Sequence, residues 1–161
     1  MNEKTYSTMD SPIGRLLLTG VERNGSVLLD SVRFTDDSTV HNGESLAAAR
    51  AQLHAYFAGS LEAFDVAHTD RGTPFQQRVW AEVDAIPYGS TITYGELATR
   101  VGAGRDRIRA VAAAVGANPL LVVRPCHRVM GAGGALTGYA GGVQRKQSLL
   151  VLEGAVQPVL V

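Results

Sequence analysis

One short run holds the most reactive side chains of this sequence: Arg124-Pro125-Cys126-His127-Arg128-Val129. Cys126 is the only cysteine of the chain. A thiol flanked by an imidazole and two guanidinium groups has positive neighbours that lower its pKa from about 8.5 and supply the nucleophilic thiolate. Adjacent residues on a strand point to opposite faces, so the spacing leaves contact between the thiol and His127 open. A lone cysteine is also commonly an inert, buried, small apolar side chain. The run by itself admits both readings. A single thiol excludes an internal disulfide and any zinc centre built from several thiolates.

The elements around this run are well marked. Asn118-Pro119 breaks a helix, and the apolar run 120–123 then reads as a short buried strand leading to Cys126. The broken helix is expected over 105–115, with Ile108, Val111, Ala112 and Val115 at helical spacing. Its outer face carries Arg109, Ala110, Ala113 and Ala114, one arginine among methyl groups. Such a smooth face allows a large partner to come close; alanine's helix propensity is the competing explanation. Upstream, Thr73-Pro74-Phe75-Gln76 combines an N-cap, a first-turn proline and a capping-box glutamine, with Phe75, Val79, Val83 and Ile86 on one stripe. After strand-like residues 91–93, Thr93-Tyr94-Gly95-Glu96 is a second capping box, opening a helix to about Val101. Gly102-Ala103-Gly104 then turns the chain, and two short helices joined this way are the pattern of a helix-turn-helix.

The first half reads differently. Residues 14–19 and 26–34 are strand-like around Asn24-Gly25, a strong hairpin signal. A helix is expected over 44–57 with Leu46, Ala49, Leu53 and Phe57 on one face, and Phe64 and Val66 are strand-like before Thr69-Asp70-Arg71-Gly72. The boundary falls there, giving domains 1–70 and 71–161. The expected class is α+β: a small N-terminal α/β domain with an antiparallel sheet, then a mainly helical domain with a winged helix-turn-helix-like motif.

The chain has 161 residues, 45% hydrophobic and 19% charged, enough to build a core. Its formal charge is zero, but residues 1–70 carry five basic and ten acidic side chains and residues 71–161 the reverse. Five of the basic residues lie between Arg100 and Arg124. That asymmetry points to a polyanion partner for the second half. No signal-peptide pattern opens the chain, and no apolar stretch nears the ~18 residues that span a bilayer. A soluble protein of a reducing compartment, the cytoplasm, is expected, with no membrane partner.

Pro125-Cys126-His127-Arg128-Val129 resembles the active-site signature of the O6-alkylguanine-DNA alkyltransferases, or methylated-DNA–protein-cysteine methyltransferases. Gly72 to Gln76, Val79-Trp80, Ile86 to Gly89, Thr93 to Ala98, Asn118-Pro119 and Thr137-Gly138-Tyr139 follow the family's order, so the resemblance spans 72–153. Asp10 to Gly14 and Gln52 to Gly59 are similar to its more variable N-terminal domain. The resemblance implies direct reversal of DNA damage on double-stranded DNA containing O6-alkylguanine, and O4-alkylthymine as a further substrate. It also implies that the helix-turn-helix enters the minor groove, that the damaged base leaves the stack, and that the alkyl group passes irreversibly to sulfur in one turnover. A monomer without cofactor is expected.

Carried over residue by residue, the resemblance makes Cys126 the acceptor, His127 the base that takes its proton through a water, and Glu153 the carboxylate that orients that histidine. Lys146, Leu149, Leu150 and Glu153 share one helical stripe, which turns Glu153 inward; a solvent-exposed helix-end glutamate is the competing picture. Asn118 matches the hinge beside the active-site turn, Tyr94 the donor to the departing guanine, and Tyr139, with Val115, the pocket wall. Arg109 matches the finger that fills the gap left by the flipped base, with Arg107 as its rival. Ala110, Ala113, Arg124 and Arg128 complete the expected DNA-binding set. The chain departs from the family at Arg124, where an aliphatic residue is usual; the charge there implies a more open strand end or a phosphate contact. Ala112 and Ala113 stand where glycine is favoured, and Asp106-Arg107-Ile108 replaces smaller residues. His41, His54 and His68 do not reproduce the zinc site of some relatives, so no metal is expected. Two rival functions remain beside the transferase: a lesion sensor that binds without transfer, which Cys126 argues against, and a helix-turn-helix regulator. A cysteine hydrolase is disfavoured because no glycine-rich oxyanion motif accompanies the thiol.

Overall fold

The computed structural model describes residues 3–41 and 44–158. The chain forms two compact units, one through Asp70 and one from Arg71. In the first, β1 (Lys4–Ser11), β2 (Gly14–Arg23) and β3 (Ser26–Phe34) make an antiparallel sheet in sequence order. The β2–β3 turn holds Asn24 at φ 52° and Gly25 at φ 79°, the two positive angles of the tight turn that matches strand twist. A bulge opposite Thr19 and Gly20 shifts the β2–β3 register. A 3₁₀ turn (Glu44–Leu46) leads into α1 (Ala47–Phe57), whose Ala49, Leu53 and Tyr56 are buried, as are Leu16, Leu18, Leu29 and Val32 of the sheet.

Two expectations change here. β1 carries no strand signal in the sequence, because KTYSTMDS is mostly polar and only Ser7 and Met9 are buried. The strand-like Phe64 and Val66 form no strand; the segment joins the sheet just beyond them, where His68 bridges Leu29 and Thr69 Oγ1 donates to Asp30 Oδ1 at 2.8 Å.

In the second unit, α2 (Pro74–Asp84) and α3 (Tyr94–Arg100) both begin with complete capping boxes, Thr73 with Gln76 and Thr93 with Glu96. Two-residue strands β4 (Ile92–Thr93) and β5 (Val129–Met130) pair in parallel. After Gly102 at φ 75° comes a 3₁₀ turn (Arg105–Arg107) and then α4 (Ile108–Gly116), packed on α2 and α3. The anticipated continuous helix from residue 105 therefore starts one turn later. Ala114 is also corrected: it is buried, and its carbonyl accepts a hydrogen bond from Trp80 Nε1 at 2.8 Å. Gly72, at φ 119°, makes room for that indole, since a Cβ there would lie 2.6 Å from the ring. The last helix is α5 (Val143–Leu152). Among the described residues no helix is long and apolar enough to cross a membrane.

Candidate active site

The segment between α4 and Cys126 is not the expected strand. Leu120 to Val122 are buried, but the backbone turns on itself: Val123 N–H reaches Leu121 O at 2.8 Å, and Cys126 N–H reaches Arg124 O at 2.8 Å. Val122 sits at φ 70°, a left-handed conformation that a β-branched residue adopts only under strain of order 1–3 kcal/mol. Asn118 holds these turns from inside. Its Oδ1 accepts from Leu120 N–H at 2.9 Å, and its Nδ2 is shared among Leu120 O and Arg124 O, both at 3.3 Å, and Cys126 Sγ at 3.1 Å.

Cys126 opens a 3₁₀ turn (Cys126–Arg128) and is buried. Burial pushes its thiol pKa up, against the opposing pull of the Asn118 hydrogen bond and the Lys146 and Arg124 charges. The resting group is therefore a thiol, and activation requires a base. His127 is wholly buried, with Nε2 2.7 Å from Glu153 Oε2. Burial, joined by the Arg128 and Lys146 charges, pushes its pKa down against the upward pull of Glu153, so the ring is neutral near pH 7. Glu153 caps the C-terminus of α5 and is itself held by Arg128, whose Nε meets Oε1 at 2.7 Å and Nη2 meets Oε2 at 3.0 Å. A carboxylate gripped in this way only accepts, which assigns the imidazole proton to Nε2 and the lone pair to Nδ1. Nδ1 is buried with no hydrogen-bond partner among the described residues. That is the arrangement of a base held ready.

The thiol opens onto a cavity of about 320 Å³ lined by Tyr94, Ala112, Val115, Gly116, Tyr139 and Ala140, among others. That volume lies at the small end of ligand pockets, and its lining is largely apolar. Burial raises the Tyr94 pKa and lifts that of Tyr139 well above the usual phenol value, so both remain neutral hydrogen-bond donors. The Tyr139 ring stands edge-on to His127, centroids 6.4 Å apart. Lys146, named above only for its stripe, is a participant that sequence reasoning missed. Its Nζ donates to Val129 O and Thr137 O at 2.6 Å and to Gly138 O at 3.2 Å, tying the pocket loop to the strand after the thiol. Burial lowers its pKa to about 8. Its inward position on α5 was the available signal.

The expected residues thus divide three ways. Cys126, Tyr94, Tyr139 and Val115 line the cavity, Asn118 reaches it through its bond to Cys126 Sγ, and the His127–Glu153 pair is buried. Arg109 and Ala113 are exposed and Ala110 half-buried on α4, while Arg107, also exposed, lies over the Phe75 ring at 5.0 Å. Arg124 and Arg128, expected in the DNA-binding set, are both buried. Arg128 grips Glu153, donates from Nη1 to Ile86 O at 2.7 Å and lies over Tyr88. Arg124 lies over Trp80 and pairs with Asp84 at 3.3 Å. A buried guanidinium needs its full complement of partners, and these two find theirs inside. The open strand end suggested for Arg124 does not occur.

Comparison with known proteins agrees with this geometry. The family model described as "6-O-methylguanine DNA methyltransferase, DNA binding domain" matches residues 74–155, and "6-O-methylguanine DNA methyltransferase, ribonuclease-like domain" matches residues 4–70. A methylated-DNA–protein-cysteine methyltransferase of Mycolicibacterium paratuberculosis is 46% identical over 160 residues, covering 95% of this chain and 94% of that protein. A Methanosarcina acetivorans protein of the same name is 46% identical, covering 93% and 98%. The crystal structure of Mycobacterium tuberculosis OGT in complex with DNA has a TM-score of 0.83 at 46% identity, covering 94% of this chain and 93% of that one.

Proposed function

The chain belongs to the 6-O-methylguanine DNA methyltransferase family, and from that premise we infer that it repairs alkylated DNA directly, moving the alkyl group from guanine O6 to its own Cys126. The observation that carries this is the Cys126 thiol on the floor of a purine-scale cavity, 3.1 Å from the Asn118 amide, with a neutral, carboxylate-oriented histidine next to it in sequence.

The alkyl carbon is hidden within duplex, so the base must first rotate out, at a cost of a few kcal/mol. In the pocket the thiol proton passes to His127 Nδ1 through a bridging water. The imidazolium that forms is stabilised by Glu153, whose charge Arg128 holds in place. The thiolate attacks the alkyl carbon in line as the carbon–oxygen bond breaks, and Tyr94 donates to the guanine as it leaves. A thioether remains. Nothing in the reaction regenerates the thiol, so each molecule acts once. We assign the protein to the cytoplasm, where a reducing environment preserves a lone thiol.

The test is intact-mass measurement after incubation with duplex carrying a single O6-methylguanine. Each chain should gain the mass of one methyl group, saturating at one equivalent. Tight binding with no mass gain would favour the lesion-sensor reading, and sequence-selective binding to unmodified duplex the regulator reading.

The outer face of α4 supplies a second prediction. Arg107 rests on Phe75, which leaves Arg109 the better placed to replace the flipped base. Arg109→Ala is expected to slow transfer from duplex far more than from free O6-alkylguanine, which needs no flipping. Arg107→Ala is expected mainly to reduce the salt dependence of binding, by about 0.9 in the slope of log K against log[salt] if one phosphate contact is lost. Duplex-specific loss in Arg107→Ala alone would transfer the finger role to that residue.

A further inference from the structure

Arg124 is a buried cation beside a group that must become an anion. Its guanidinium lies over the Trp80 ring at 4.8 Å, its Nε reaches Asp84 Oδ1 at 3.3 Å, and its Nη1 reaches Asn118 Oδ1 at 3.4 Å. Asp84 ends α2 and is half-exposed, so the ion pair is wet at its carboxylate end and dry at its guanidinium end. Among the described residues, Asn118 is the one side chain that donates a hydrogen bond to Cys126 Sγ.

The two ends of an asparagine amide are nearly the same shape, and only hydrogen bonding decides which end faces where. Were this amide reversed, its oxygen would face the sulfur and oppose formation of the thiolate. Two donors prevent that reversal by occupying Oδ1: Leu120 N–H and Arg124 Nη1. A guanidinium can only donate, and a charged donor polarises the amide so that its NH₂ becomes the stronger donor to sulfur. We propose that Arg124, anchored by Trp80 and Asp84, is a positioning residue for the acceptor: it locks the Asn118 amide with NH₂ on Cys126 Sγ and sets a fixed positive charge behind the developing thiolate. This rests on the assignment of Cys126 as acceptor.

The other ionisable groups that act on the thiol are Lys146 from α5, Tyr94 from α3 and Tyr139 from the loop before α5, with the His127–Glu153–Arg128 array beyond. Of these, Lys146 shares the sign of Arg124 and its effect on the thiol. Lys146 is spoken for by three backbone carbonyls, whereas Arg124 acts on Asn118 itself.

The experiment is a titration of the Cys126 thiolate by its ultraviolet absorbance, with a Cys126→Ser protein as background, in the parent, Arg124→Met, Arg124→Lys and Asp84→Asn. Arg124→Met should raise the thiol pKa by about one pH unit and slow single-turnover methyl transfer about tenfold at neutral pH. Arg124→Lys keeps the charge but not the fork, and should fall between Met and parent. Asp84→Asn keeps an oxygen for Arg124 while removing the opposing charge, and should lower the thiol pKa. Opposite shifts from Arg124→Met and Asp84→Asn are what a loosened fold would not produce. Shifts of the same sign, or none in either, would overturn the proposal. Thermal unfolding of each variant accompanies the titration; should Arg124→Met not fold, the Lys and Asn variants decide by the same signs. The titration needs no alkyl transfer: a parent that titrates as described yet gains no methyl mass would remove the transferase reading and leave the positioning role standing.

Discussion

Cys126→Ser is expected to bind methylated duplex with nearly the parent's affinity and to take up no methyl group at all. The α4 face proposed to meet DNA and the cavity walls are untouched by replacing one small buried side chain with another. Only the nucleophile changes. A serine hydroxyl holds its proton far more tightly than a thiol, and His127, its own basicity reduced by burial, cannot remove it. The Asn118 NH₂ would still donate to the new oxygen, so the site keeps its shape while losing its reaction. Intact mass reads the outcome directly, and Cys126 is the only cysteine, so no other thiol can substitute. A methyl group on the serine protein, on any residue, would sink the acceptor assignment.

Glu153→Gln is expected to slow transfer by about 10²–10⁴-fold, the usual contribution of a general base, while leaving affinity for DNA within a few-fold of the parent. Glutamine preserves the shape but withdraws the charge facing His127 Nε2. Burial already presses the His127 pKa down and Glu153 opposes it, so the variant's imidazole becomes a weaker base still. The sign can be followed in a pH profile: the acidic limb, set by protonation of His127, should move to lower pH even as the plateau falls. A variant that was merely misfolded would lose amplitude without moving that limb. The same substitution strips Arg128 of its anion in the core, and breaking a buried pair costs about 3–5 kcal/mol. A lower unfolding temperature is therefore part of the expectation, and rates should be compared well below it. An unchanged rate would make Glu153 a partner of Arg128 alone.

The parts of this molecule that the sequence announced are those specified by near neighbours. The Thr73/Gln76 and Thr93/Glu96 boxes are three residues wide, and Asn24-Gly25 supplies its own turn angles. Local signals failed where a distant partner decides the outcome. Arg128 reads as a surface cation until Glu153 arrives from the end of α5 to bury it. Arg124 similarly depends on Asp84 and Trp80 of α2. Residues 120–123 have the apolarity of a strand, but Asn118 supplies side-chain bonds where a strand would need a neighbouring ladder. The methyl group of Ala114 says little about which face it takes; the Trp80 indole, bonded to its carbonyl, fixes its true side. The composition of the site could be read from the sequence, whereas the direction of its charges required the fold.

A reagent that is spent in a single use has to survive its own storage. The burial that makes the Cys126 thiol slow to ionise also keeps it out of trouble between damage events: exposed thiolates are the species that attack disulfides and react with oxidants, and this sulfur is neither exposed nor ionised at rest. There is no second thiol in the chain to capture it. Idle copies therefore keep their shelf life, and the pool available when a lesion appears is set by how many chains were made and how many have already fired.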